Sequence, residues 1–170
     1  MGQKVSPTGF RLGVTEDWRS RWYSDKDYAA NLENDLVIRK FLEKQLAHAA
    51  VSRVEIERAG DKIKIIVTTA RPGVVIGKKG AEIDSLRKKL EKVANGPVSI
   101  EVVEVKRPEL DAALIAQSVA EQLEGRVAFR RAMRKAVQSA RKSGAKGIRI
   151  QCSGRLGGAE MSRREWYREG

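Results

Sequence analysis

The sequence predicts an α/β chain of the α+β type, in which two modules follow an irregular arm. Apolar residues recur with the helical period of about 3.6 in some segments and with the strand period of two in others. Of the 170 residues, 41% are hydrophobic, which is enough to build a core. Lys106-Arg107-Pro108 interrupts the pattern. We therefore expect an arm at 1–24, a first domain at 25–106 and a second domain at 107–170.

The first domain is predicted to run helix, strand, strand, short helix, helix, strand. Apolar residues at helical spacing, beginning with Tyr28, Leu32 and Leu36, predict the buried stripe of the first helix. Alternating apolar residues then predict a β-hairpin with its turn at Ala59-Gly60-Asp61. The predicted elements are a helix at 26–49, strands at 51–58 and 63–67, a short helix at the apolar run 74–76, a helix from Ala81 that ends before Asn95, and a strand at 98–105.

The second domain begins with two predicted helices, at 110–123 and at about 127–142, which Gly125 separates. One clear strand follows at 148–152. Two helices with apolar stripes need a sheet to cover them, and one strand is too little. We expect a second α/β domain that is truncated at its C-terminal end or completed by neighbours.

The charge balance indicates a polyanionic partner, with nucleic acid as the first candidate. The chain holds 34 Lys and Arg against 22 Asp and Glu, a formal net charge of +12. The alternative is a basic surface kept only for solubility. Thirteen Lys and Arg but two acidic residues fall within 126–168, so the excess charge is localised and favours binding.

Few residues are available for metal, redox or membrane chemistry. Cys152 is the only cysteine and His48 the only histidine, so an internal disulfide and a Cys/His zinc site are excluded. No apolar run approaches the roughly 18 residues of a membrane-spanning helix. The residues Met1–Val5 do not begin a secretory signal. We expect a protein of a reducing compartment that uses no metal, cofactor or membrane.

The segment Gly77-Lys78-Lys79-Gly80 is a candidate phosphate-binding loop. Its glycines let backbone amides approach a phosphate, and the helix that follows presents unpaired N–H groups. Such a loop clamps single-stranded RNA while the base edges stay readable. A helix–helix turn with two solvated lysines is the alternative, since four-residue matches arise by chance. The order of elements around the loop resembles the type II KH domain, whereas the spacing excludes a Walker loop.

The second candidate surface is the predicted helix at about 127–142. On a helical wheel its basic residues share one arc of about 140°, and its apolar residues occupy the opposite arc. Because the basic arc holds no acidic residue, contact with RNA phosphates is favoured over a merely solvated face. The residues assigned to this surface are Arg126, Arg130, Arg131, Arg134, Lys135, Arg141 and Lys142.

The arm at 1–24 is a third candidate. Its basic residues are interleaved with Trp18, Trp22 and Tyr23, a pattern that can hold phosphates and stack on bases. The alternative, equally supported and compatible, is that the tryptophans pack on the chain's own domain. The arm residues assigned to RNA are Lys4, Arg11, Arg19 and Arg21.

Six segments together resemble one family. They are Met1–Val5, Thr69–Gly80, Phe129–Met133, Lys146–Ile148, Ser153–Glu160 and Glu165–Gly170. The chain is similar along essentially its whole length to the family of bacterial small-subunit ribosomal protein three, although family members continue with further strands. The resemblance implies binding to small-subunit rRNA in the head of the subunit, beside ribosomal proteins ten and fourteen, in the cytoplasm. It also implies that the second domain lines the channel through which mRNA enters, with Arg130, Arg131 and Arg134 facing the mRNA.

Two other functions compete with a structural ribosomal protein. A free KH-type RNA chaperone or regulator would share every local feature and differ in its partners. An enzyme acting on nucleic acid would need a metal cluster or a nucleophile with its base. His48 is expected on an apolar helix face and Cys152 on the buried side of a strand, where neither suits catalysis. We expect no enzymatic activity and no small-molecule substrate.

Overall fold

The computed structural model describes residues 3–60 and 62–170. For Lys79 it describes the backbone but not the side chain. The start of the N-terminal segment, Met1 and Gly2, and the hairpin-turn residue Asp61 therefore lie outside the described residues. The chain divides into two compact units, Met1–Glu104 and Val105–Gly170.

The first unit is built on a four-stranded sheet in the order β1-β2-β3-β4. Strands β2 and β3 form the expected antiparallel hairpin, while β1 pairs parallel to β2 and β4 parallel to β3. Its elements are α1 (Pro7–Arg11), β1 (Ser20–Arg21), α2 (Tyr28–Gln45), a 3₁₀ turn (Ala47–Ala49), β2 (Val51–Ala59), β3 (Lys62–Thr69), α3 (Pro72–Ile76), a 3₁₀ turn (Lys78–Gly80), α4 (Ala81–Ala94) and β4 (Val98–Glu104).

The core of this unit lies between the sheet and helices α2 and α4. The alternation in β3 has its expected effect, because Ile63, Ile65 and Val67 are buried while Lys62 and Lys64 are exposed. From the helices, the buried members of the same cluster are Ile38, Leu42, Leu86, Leu90 and Ala94.

The predicted buried stripe of α2 is wrong in its first half. Tyr28, Leu32 and Leu36 are 58%, 37% and 49% exposed, whereas Asp35 and Ile38 are fully buried. A strict four-residue spacing advances about 40° per step around a helix, so this series leaves the buried face. A carboxylate therefore takes a core position that an apolar residue was expected to fill.

The arm is more ordered than its sequence predicts. It contains α1 and β1, and the amide of Ile56 in β2 donates a hydrogen bond of 2.9 Å to the carbonyl of Arg19. Two residues are too few for a periodic signal, and the partner of β1 lies over 30 residues away in sequence.

The second unit combines two helices, which pack against each other, with a two-stranded antiparallel sheet. Helix α6 packs on both strands, and its buried side consists of Ala132, Met133, Val137 and Ala140. The elements are a 3₁₀ turn (Pro108–Leu110), α5 (Ala112–Glu124), α6 (Phe129–Lys142), β5 (Ile148–Gly154), a 3₁₀ turn (Leu156–Gly158) and β6 (Arg163–Glu169).

Strand β6 was not predicted from the sequence. One strand was expected in this unit, and the structure has two. Its sequence, Arg-Arg-Glu-Trp-Tyr-Arg-Glu, offers no apolar alternation, because charged residues lie on both faces. The strand is held instead by its pairing with β5, from Ile148 opposite Glu169 to Gly154 opposite Arg163.

Candidate nucleic-acid interface

The loop at Gly77–Gly80 has a backbone that only glycine adopts readily. Gly77 and Gly80 have φ values of +70° and +82°. A Cβ at Gly77 would lie 2.3 Å from Cγ of Glu82, so a side chain there would collide with α4. The loop thus leads tightly from α3 into α4, with Lys78 exposed to solvent at its tip.

The electrostatics of this loop are mixed. No side chain of the described residues caps the N-terminus of α4, whereas its first amide, that of Ala81, donates to the carbonyl of Lys78. Glu82 and Asp84, however, occupy the first turn of α4 and offset part of the positive helix end. The loop therefore suits the single phosphates of a threaded strand better than a dense cluster of negative charge.

Two apolar side chains missed as functional candidates flank the loop. Val74 and Ile76 of α3 are 52% and 40% exposed, although they belong to the short apolar run seen in the sequence. Beside them lies a groove, which Leu46, Val75 and Leu86 help to line. Exposed apolar surface of this kind is one on which unstacked bases can pack.

Helix α6 separates its apolar and basic residues as its sequence predicts. Arg130, Arg131, Arg134 and Lys135 are exposed and line one shallow depression on the side away from the core. Within the described part of the chain, no carboxylate lies within 4.0 Å of the charged nitrogens of Arg131, Arg134 or Lys135. These three cations are therefore unneutralised.

The other basic residues of the α6 surface are partly engaged. Arg130 lies 3.5 Å from Glu165. Arg141 donates to the carbonyls of Ala145 and Lys146 at 2.9 and 2.8 Å, which fastens the turn after α6. Arg126, before the helix, and Lys142, at its end, are exposed.

The basic residues of the arm differ in how far they are already engaged by other groups of the chain. Lys4 is exposed, and Arg11 donates to the carbonyl of Pro7 at 3.0 Å. Arg19 contributes its carbonyl to β2. Arg21 lies within 3.5 Å of three carboxylates, those of Asp17, Glu55 and Glu57, so its charge is neutralised inside the unit.

Among the aromatic residues of the arm, Trp22 supports packing on the chain's own domain, while stacking of the others on RNA stays a prediction. Trp22 packs inward, where its indole N–H donates to the buried carboxylate of Asp35 at 2.8 Å. Trp18 and Tyr23 are 62% and 86% exposed and remain available to a ligand.

The placement expected for His48 is wrong. Helix α2 ends at Gln45, so His48 lies exposed in the 3₁₀ turn instead of on an apolar helix face. Cys152 is half-buried, and the loss of solvent around it raises the pKa of its thiol. Within 3–60 and 62–170, no cluster of His, Cys, Asp and Glu could hold a metal ion, and no helix is long and apolar enough to span a membrane.

These features define a class, that of RNA-binding proteins in which a KH domain precedes a second α/β domain. Models of known families agree with it: the KH domain matches residues 37–110, and the C-terminal domain of ribosomal protein S3 matches residues 119–170. The predicted fold class is confirmed.

The particular family follows from similar proteins of known identity. Over all 170 residues, the chain is 62% identical to the small ribosomal subunit protein uS3 of Geotalea uraniireducens and 61% identical to that of Geobacter sulfurreducens, and covers 81% of each. It is 59% identical to the uS3 protein of Syntrophus aciditrophicus, of which it covers 79%. The chain belongs to the uS3 family of small ribosomal subunit proteins, and the resemblance seen in the sequence is confirmed.

Proposed function

We propose that this chain is a structural, non-catalytic component of the small ribosomal subunit that binds small-subunit rRNA. Its relatives bear the name of small ribosomal subunit protein uS3. The observation that carries RNA binding is the exposed, unneutralised cluster of Arg131, Arg134 and Lys135 on α6. Cations without local carboxylates gain most from a phosphate backbone, because condensed counterions are released on binding.

The finer placement is also a proposal. By resemblance, the chain sits in the head of the subunit beside ribosomal proteins ten and fourteen. Its second unit faces mRNA as it enters, with Arg130, Arg131 and Arg134 toward the strand. The cluster of exposed cations without neighbouring carboxylates supports contact with the RNA backbone, which suits an mRNA of any sequence.

The loop at Gly77–Gly80 is proposed to clamp a single-stranded segment. Its left-handed glycines, exposed Lys78 and the apolar side chains of Val74 and Ile76 support this role. In the arm, Lys4, Arg11 and Arg19 remain proposed contacts, whereas we leave Arg21 out of the surface because three carboxylates already bind it.

The experiment reverses the α6 cluster in the full chain, with Arg131→Glu, Arg134→Glu and Lys135→Glu together. RNA affinity is measured against salt concentration by fluorescence anisotropy. The slope of log K against log salt is negative. Losing three phosphate contacts should make it shallower by about 2. The matched control, Lys40→Glu, Lys44→Glu and Lys92→Glu, changes the net charge equally on exposed positions of α2 and α4. Equal slopes for the two variants would refute the role of α6.

Assembly is tested separately by a sucrose gradient of native lysate in high salt. We expect the chain to migrate with the small subunit at one copy each. A chain that stays at the top of the gradient would favour the free RNA chaperone or regulator instead.

A further inference from the structure

The sheet of the second unit has a face that the basic helix does not use. Opposed residues of an antiparallel pair project to the same side, so the register of β5 and β6 defines two faces. The first includes Ile150 and Tyr167 and faces α6, since Arg134 lies 5.7 Å from the ring of Tyr167. The second, here termed the outer sheet face, consists of Arg149, Gln151, Ser153, Arg164, Trp166 and Arg168.

The outer sheet face is uniformly exposed and carries one sign of charge. All six side chains are exposed, and Trp166 exposes 50% of its surface. The acidic residues of β6, Glu165 and Glu169, project to the other side, where they meet Arg130 and Arg141. Among the described residues, no carboxylate forms an ion pair with Arg149, Arg164 or Arg168. The face is therefore complementary to a polyanion.

The tryptophan contacts two of these arginines, Arg149 and Arg168, which form the opposed pair next to it in the strand register. The guanidinium carbons of Arg149 and Arg168 lie 5.4 and 5.6 Å from its ring centroid. Both guanidinium groups are in cation–π contact with the indole, while half of the Trp166 surface stays exposed to solvent. A base stacked on the indole would have its neighbouring phosphates within reach of both guanidinium groups.

We propose that the outer sheet face is a second RNA contact of this unit, in which Trp166 stacks on an unpaired base and Arg149, Arg164 and Arg168 bind the flanking phosphates. This inference rests on the proposed RNA-binding function and adds a site that the α6 surface does not include. An aromatic platform with adjacent cations is the arrangement with which proteins bind single strands without sequence preference. A duplex would bury its bases and leave the indole without a partner.

The site is tested in the full chain labelled with 5-fluorotryptophan, which gives one ¹⁹F resonance for each of Trp18, Trp22 and Trp166. Trp166→Tyr and Trp18→Phe assign the resonances. The probe is oligouridylate of about ten nucleotides, within the site sizes of single-strand binders. We expect the Trp166 resonance to shift on titration. It should shift also in the α6 reversal variant, at higher oligonucleotide concentration.

Affinity supplies the second readout. Trp166→Leu keeps an apolar side chain on the strand but removes the flat ring, and should weaken oligouridylate binding about 5- to 150-fold. Trp166→Tyr should restore most of it. The matched control is Tyr28→Leu, which removes a half-exposed ring on α2 outside the proposed RNA surfaces and should change binding little. Circular dichroism checks that β5 and β6 remain folded; if Trp166→Leu unfolds them, Arg149→Gln with Arg168→Gln takes its place and should also weaken binding.

The outcomes separate this site from the function on which it rests. The chain could bind oligouridylate without a shift of the Trp166 resonance and without a loss of affinity in Trp166→Leu. In that case the outer sheet face is not an RNA site, and its arginines only stabilise the β5–β6 hairpin. If the parent chain binds no RNA at all, the proposed function and the site both fail.

Discussion

Replacing Asp35 by Ala should destabilise the first unit more than any exposed ion pair would. The Asp35 carboxylate is fully buried and accepts four hydrogen bonds. Arg58 donates two to Oδ1, at 3.0 and 2.6 Å, while Ser20 and Trp22 each donate one to Oδ2 at 2.8 Å. This single side chain thus joins the arm, α2 and β2.

The magnitude follows from what the substitution leaves behind. The side chain of Arg58 is only 12% exposed, so Asp35→Ala strands a buried guanidinium without its carboxylate. Breaking a buried pair in this way costs about 3–5 kcal/mol. The control is Glu101→Gln, which removes the pair of Lys64 with Glu101 at 2.8 Å, where both side chains are about half exposed. Such a surface pair contributes about 0–1 kcal/mol.

The assay is urea unfolding of the full chain, followed by tryptophan fluorescence and circular dichroism. At a slope of about 1–3 kcal/mol per molar urea, Asp35→Ala should lower the midpoint of the first unit by at least about 1 M. Trp22 should also become more solvated, because its N–H loses its acceptor. If Asp35→Ala costs no more than Glu101→Gln, the network does not stabilise the fold and the reasoning fails.

Two further predictions concern the loop and the cysteine. Gly77→Ala should destabilise by about 1–3 kcal/mol and weaken RNA binding, because φ is +70° and the new Cβ would strike Glu82. The control is Gly73→Ala in α3, where an added Cβ would meet nothing within 4 Å. Both variants are compared by their urea midpoint and by their RNA affinity in fluorescence anisotropy. Equal losses in the two variants would contradict the loop geometry. Burial raises the pKa of Cys152, so iodoacetamide should alkylate it more slowly in the folded chain than in urea. Because the folded thiol holds its proton more tightly, its contribution to stability is present below the unfolded pKa and is lost as pH rises through the folded pKa. Alkylation at equal rates in both states would refute the burial effect.

The sequence predicted those parts of the fold whose apolar and polar residues are segregated. Strand β3 alternates Ile63, Ile65 and Val67 with exposed residues, so its period of two is visible without the structure. Helix α6 likewise separates Met133 and Val137 from its arginines. In both elements the face that is buried is also the face that is apolar, which is the condition under which periodicity is informative.

The parts that were missed depend on partners distant in sequence. Strand β6 carries charge on both faces because α6 supplies Arg130 to Glu165 and a cation to the ring of Tyr167. The buried face of α2 includes Asp35 because Arg58, 23 residues later, returns to neutralise it. No window of local sequence contains both members of such a pair, so pattern analysis assigns each residue to the surface.

We expect the same long-range pairing, and not a count of basic residues, to decide where RNA binding is strongest. In the first unit Arg21, Arg53 and Arg58 each face a carboxylate, so these three charges are neutralised inside the unit. In the second unit the carboxylates of β6 lie on one side of the sheet, toward α6. Its α6 cluster and its outer sheet face therefore both keep unneutralised arginines. Counterion release requires cations that are not already paired, so the salt dependence of RNA binding should arise mainly in the second unit.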